Sequence, residues 1–140
     1  MNEHMVKHLE LIQRVVNRLA QDSFAYKGWA ITLVAAIFAL ALAAKEASPH
    51  YLLVALLPAV AFWGLDAYYL RQERLFRKLY DGVRIMPPDE WKRDPFSMDT
   101  SPYNGQVATW WRVCWSKTIG WLYVPIVVLI VVLSLALAWR

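Results

Sequence analysis

Cysteine is almost missing from this chain: Cys114 stands alone in 140 residues. One thiol excludes an intrachain disulfide and supplies no cysteine cluster for a metal. Glycine is scarce as well, with five residues, and none forms the Gly-rich loop that cradles a phosphate. H-E-x-x-H, a nucleophile elbow and a carboxylate pair at catalytic spacing on a rigid element are all lacking. His4 and His8 are one helical turn apart, but no third ligand is placed to complete a metal site. They read as a surface pair, Cys114 reads as packing among tryptophans, and no metal or other cofactor is expected. Internal repeats and low-complexity tracts are absent. Enzyme chemistry has nothing here to stand on.

What the chain has in excess is apolar sequence. Its 59% hydrophobic content and 8 tryptophans exceed what a soluble domain of this length buries. Three runs carry the excess, at 28–44, 51–70 and 118–139. A bilayer's hydrocarbon core takes ~20 residues of helix to cross. Only 15 uncharged residues run from Tyr51 to Leu65, so the second span must continue through Asp66 to Leu70. The expectation is an all-α membrane protein, one domain over 1–140 with three transmembrane helices. The link from Lys45 to His50 is short and has Pro49 at the first position of the next helix, which forces the first two spans into a hairpin. Pro58 should kink the second span near Val54. Charges at Lys7, Glu10, Arg14, Arg18 and Asp22 precede any apolar core, so no secretory signal fits and the first span is expected to stay as an anchor.

Lys and Arg set the orientation. Four precede the first span, one lies in the first link, and nine lie between the second and third spans. Basic residues concentrate in cytoplasmic segments, which puts the N-terminus and the long middle segment inside and Arg140 outside. The net charge of +4 is therefore a topology signal, and basic residues that flank spans give no reason to expect nucleic acid. The compact plan suits a bacterial inner membrane.

Outside the spans the chain reads as long cytoplasmic helical extensions. Over 3–27, Met5, Leu9, Ile12, Val16 and Leu19 recur in alternating steps of four and three, a stripe for packing helix on helix. Two partners are open for it: the chain's own middle segment or a second subunit. With no proline between this stripe and the first span, one nearly continuous helix is expected from about Glu3 to Ala44. Over 71–85 a second helix carries Leu75, Phe76, Leu79, Tyr80 and Val83 on one side and basic residues on the other, until Pro87 and Pro88 stop it. A proline-rich loop follows at 86–105. Residues 107–117, with Trp110, Trp111 and Trp115 beside Arg112 and Lys117, read as an interfacial helix.

Asp66 is the most pointed residue, because ionisable groups within spans line water, pair with a cation or carry function. Lys27 and Arg71 lie at similar depth and are its candidate partners. A structural ion pair and a gating role are both open. For the second, Asp66, Arg71, Arg74, Arg77 and Lys78 would stand at the inner mouth of a pore. Glu73 and Arg77 are spaced for an i,i+4 pair. The arginine cluster also suits anionic lipid headgroups. In the first span, Thr32, Ala35, Ala36, Ala39 and Ala43 give small-residue faces that permit close helix approach in lipid, within the chain or between subunits. With the Met5 to Leu19 stripe they are the candidate oligomer interface. Trp29, Trp110, Trp111, Trp115 and Trp139 are the candidates for the lipid interface.

The pattern L-D-x-x-Y-L-x-x-E-x-x-F-R-x-L-Y at Leu65 to Tyr80, with HLELIQRVVNRLAQDSFAYKGW upstream, resembles small bacterial membrane proteins. It is similar to the RipA-like octameric membrane family and, more loosely, to SLATT-type proteins. The resemblance covers about Leu9 to Arg84. It implies an oligomer, and the SLATT likeness implies pore formation in conflict and phage-defence systems. The third span departs from their two-span plan. Together these readings give a non-enzymatic homo-oligomeric inner-membrane protein, acting as a pore-like effector. The alternative is an accessory or scaffold subunit that binds a protein partner through the 87–105 loop.

Overall fold

The computed structural model describes residues 2–43 and 49–139. Of the turn expected at Lys45 to His50, residues 45–48 lie outside them, as does Arg140, and Pro49 and His50 begin a helix.

Helix α1 runs unbroken over Glu3–Ala43, ~60 Å at 1.5 Å per residue. It holds no proline, and its one glycine, Gly28, meets no neighbouring atom where a side chain would start. Asn2 caps it, its Oδ1 accepting the Met5 N–H at 2.8 Å, and Glu3 lies in the first turn, where a carboxylate suits the helix dipole.

The second apolar run forms two pieces, α2 over Pro49–Val54 and α3 over Leu56–Ile85. They part at Ala55 because Pro58 has no N–H to donate to the Val54 carbonyl. Helix α3 ends where Met86 turns extended before the two prolines. The loop beyond is largely structured: α4 covers Pro88–Trp91 and a 3-10 turn covers Ser101–Gln106. The interfacial helix expected over 107–117 is confined to α5, Trp110–Cys114. Thr109 and Ser116 both have extended backbones, and the Ser116 hydroxyl turns back to donate to the Val113 carbonyl at 2.7 Å. Helix α6 then covers Lys117–Ala138, with Pro125 inside it.

The chain is all-helical, with no strand among the described residues. Helix α1, the joined α2 and α3, and α6 are each long and apolar enough to cross a membrane.

Three core clusters hold these helices together. At the charged end, Met5, Leu9, Ile12 and Val16 of α1 close on Leu79, Val83 and Trp91. The heptad stripe is therefore covered by its own chain. In the middle, Ala30 meets Ala67 and Leu70 of α3, Val113 and Cys114 of α5, and Ile119 and Tyr123 of α6. At the apolar end, Val34 packs with Ala55, Ala59 and Ile130. Rising numbers on α1 meet falling numbers on α3, so the two helices run antiparallel. Ala30, Ala55, Ala59 and Ala67 are fully buried, small residues at the points of closest backbone approach.

Residues 86–106 fold back on the charged end, and His8 explains how. It is buried, with 1% exposure, and is no surface partner of His4. The Trp91 indole N–H donates to His8 Nδ1 at 3.0 Å, so the imidazole proton sits on Nε2, which donates to the Ser97 carbonyl at 2.8 Å. Phe96 adopts φ 58°, a left-handed conformation that costs a bulky residue about 1–3 kcal/mol. Its ring packs 5.6 Å from His8 and 5.4 Å from Trp91, contacts that offset the strain. Asp99 fixes the 3-10 turn, accepting from the Ser101 hydroxyl at 2.6 Å and its N–H at 2.9 Å. Those hydrogen bonds hold its carboxyl below the usual carboxylate range. A cavity of about 300 Å³ remains between this segment and α3, lined by His8, Leu79, Val83, Met86 and Tyr103 among others.

Gly82 is where the segment comes closest, since an added Cβ would overlap the Tyr103 hydroxyl. Gly82→Ala is expected to lift the 3-10 turn at a cost of about 1–3 kcal/mol. Hydrogen exchange should then accelerate over 101–106 and stay unchanged in α6; an unchanged rate over 101–106 would contradict this packing.

Candidate functional site

Three polar side chains, Ser23, Lys27 and Asp66, converge where α1 and α3 pass from apolar to charged sequence. Ser23 and Lys27 are four residues apart, so they share a face of α1, and that face meets Asp66 of α3. Asp66 is fully buried. The Ser23 hydroxyl donates to its Oδ1, and Lys27 Nζ lies 2.7 Å from its Oδ2. Lys27 also donates to Ser23 Oγ at 3.0 Å, so the three side chains close a ring. The Lys27 side chain keeps 22% exposure, its stem lying along the helix while the ammonium reaches inward.

Helix α6 adds Tyr123, fully buried in the chain, whose hydroxyl has no hydrogen-bond partner among the described residues. Trp63 lies parallel to the Tyr123 ring at 4° and 6.2 Å. Its indole N–H donates to the Cys114 carbonyl at 2.9 Å, satisfying the end of α5, and its other neighbour is Trp115, edge-on at 5.2 Å. Trp110 donates to the Gly64 carbonyl at 3.1 Å. Arg71 turns from Asp66 and donates to the Ala108 carbonyl at 3.2 Å. Tyr26 and Tyr69 pack 5.2 Å apart beside the cluster. One carboxylate thus sits at the meeting of all three long helices, and the aromatic groups around it tie down the connection between α3 and α6.

The remaining candidates are spread out. Arg74 is half-buried, and Arg77 and Lys78 are exposed on α3. Arg77 Nη2 lies 2.8 Å from Glu73 Oε1, an exposed pair that contributes a few tenths of a kcal/mol. Thr32, Ala35, Ala36, Ala39 and Ala43 face outward from α1. Met5, Leu9, Ile12, Val16 and Leu19 are buried within the chain. Trp29, Trp110, Trp111, Trp115 and Trp139 are exposed, Trp139 at 89%. Sequence reasoning passed over Ser23 and Tyr123. The i,i+4 relation of Ser23 to Lys27 was a usable signal, and so was the single tyrosine, Tyr123, in the third apolar run.

Burial pushes the Cys114 thiol up, away from the reactive thiolate, and no group of three potential metal ligands occurs among the described residues. The chain matches no known protein family, no curated protein and no solved structure.

The ring around Asp66 acts on helix position. Replacing one member of a buried pair strands the other and costs about 3–5 kcal/mol, towards the low end here because Lys27 keeps some solvent. Asp66→Asn and Lys27→Met are each expected to destabilise the protein by roughly 3 kcal/mol, and the double variant by less than their sum. Thermal unfolding in detergent checks this, and strict additivity would show that the two side chains do not interact.

Proposed function

We propose that the protein is a non-enzymatic homo-oligomer of a bacterial inner membrane, working as a scaffold subunit. The charged halves of α1 and α3, with residues 86–106 folded on them, form a cytoplasmic headpiece, and the C-terminus lies outside. The headpiece offers a partner protein the surface formed by the 87–105 segment. The Lys and Arg excess on either side of the spans supports this orientation.

One observation carries the reading: the groups suited to lining a conduction path are engaged inside the protomer, while surfaces suited to association face outward. Asp66 is buried and engaged by Ser23 and Lys27, which withdraws the only intraspan acid from a pore mouth. Arg71 and Arg77 are likewise engaged, with Ala108 and Glu73. By contrast, the Thr32, Ala35, Ala36, Ala39 and Ala43 face of α1 is exposed, and lateral association through small residues is the usual way helices meet in lipid. The heptad stripe does not contribute to assembly, being covered within the chain. The likeness of Leu65 to Tyr80 to oligomeric RipA-like proteins points the same way.

The test is the mass of the solubilised complex, followed by capture of what travels with it. The wild type is expected to run as an oligomer in mild detergent, and Ala36→Trp or Ala39→Trp to shift it towards monomer. A protein partner at fixed stoichiometry should be lost when the 87–105 loop is replaced by a short linker. A monomeric wild type would overturn the oligomer. Ion conductance in liposomes that is abolished by Asp66→Asn would overturn the scaffold in favour of a pore.

A further inference from the structure

The mouth of α6 holds a groove that the scaffold reading does not use. It has a volume of about 670 Å³ and lies between Trp115 and Trp121, with Gly120, Val124 and Pro125 along its floor and Ser116 and Lys117 at one end. Gly120 opens it, since a side chain there would begin 3.6 Å from the Trp115 backbone and project across the floor. Pro125 contributes by what it lacks: without an N–H it leaves the Trp121 carbonyl without its helical donor. Trp115 and Trp121 are 64% and 83% exposed, amphipathic rings of the kind that settle at headgroup depth.

Charge completes the case. The sequence has no acid after Asp99, and among the described residues Arg112 and Lys117 have no ion-pair partner, whereas Lys27 is bound to Asp66. An unpaired cation at the polar end of an otherwise apolar groove, at the rim of a membrane-crossing helix, matches an anion joined to a hydrocarbon chain. We propose that this groove seats one anionic phospholipid, with its phosphate at Lys117 and its acyl chain along Gly120, Val124 and Pro125. Arg112 adds to the attraction from the end of α5.

This site requires only that α6 lie in a membrane, and holds or fails independently of oligomer and partner. Native mass spectrometry of the full chain with phosphatidylglycerol, and with phosphatidylcholine as the uncharged-net control, tests it. One retained phosphatidylglycerol per protomer is expected. Lys117→Ala should weaken retention about fivefold, the effect of one interfacial charge, while Lys117→Arg restores it and Arg14→Ala, on the distant headpiece, leaves it unchanged. Gly120→Leu fills the groove and should abolish retention. Gly120→Ala, whose Cβ makes only ordinary contact, should keep the fold and lose less. Equal retention of both lipids, or indifference to both Lys117→Ala and Gly120→Leu, would overturn the proposal. So would displacement by water-soluble glycerol phosphate, which needs no acyl groove, or a second copy of the chain occupying the face and excluding lipid.

Discussion

A carboxylate enclosed by apolar helices is stable only when its charge is answered at contact distance, and the fold is organised around one such answer. Lys27 meets Asp66 at 2.7 Å and Ser23 completes the ring. The geometry fixes the register of α1 against α3, because a one-residue slide would rotate Ser23 and Lys27 off the face that Asp66 presents. Apolar contact alone is tolerant of such slides. In lipid it is weaker still as a guide, because hydrocarbon tails compete for the same surfaces. The ion pair supplies the specificity, and the small residues above and below it, Ala30, Ala59 and Ala67, let the helices come close enough to use it.

The aromatic cluster extends that constraint to the third span. Tyr123 stacks on Trp63, whose indole donates to the end of α5, so α6 is located by rings and a backbone hydrogen bond. At the far end of α1, His8 performs a comparable task without charge. Its two ring nitrogens bind Trp91 and Ser97 in one tautomer, which holds the segment 86–106 against the charged end of α1, where Trp91 joins Leu79 and Val83 over the stripe. Two polar fixtures, at Asp66 and at His8, thus tie α1 to the rest of the chain at separate levels.

Much of the architecture was legible from residue order. The absence of proline before Pro49 is why α1 is continuous, Pro58 marks the break at Ala55, and Pro87 with Pro88 ends α3. The three apolar runs became three helices long and apolar enough to span a membrane, and Asp66 stood out by its setting. Other features depended on contacts between distant parts of the chain. His8 looked like a surface residue because its partners Trp91 and Ser97 lie more than eighty positions away. The interfacial helix is shorter than its composition suggested because Thr109 and Ser116 extend the backbone at either end. Tyr123 is the single tyrosine of the third apolar run, and periodicity gives no sign of where its hydroxyl points. The two readings of the heptad stripe were equivalent in sequence; Leu79 and Val83 of α3, with Trp91, are what cover it from within.

The account stands on contact between Lys27 and Asp66 in the folded membrane protein. Solid-state NMR of protein in lipid bilayers, labelled with 15N at Lys27 Nζ and 13C at Asp66 Cγ, measures that contact directly. Strong dipolar coupling, corresponding to about the 3–4 Å separation of a hydrogen-bonded ion pair, is the predicted result. Absence of measurable coupling in an otherwise folded sample would contradict it.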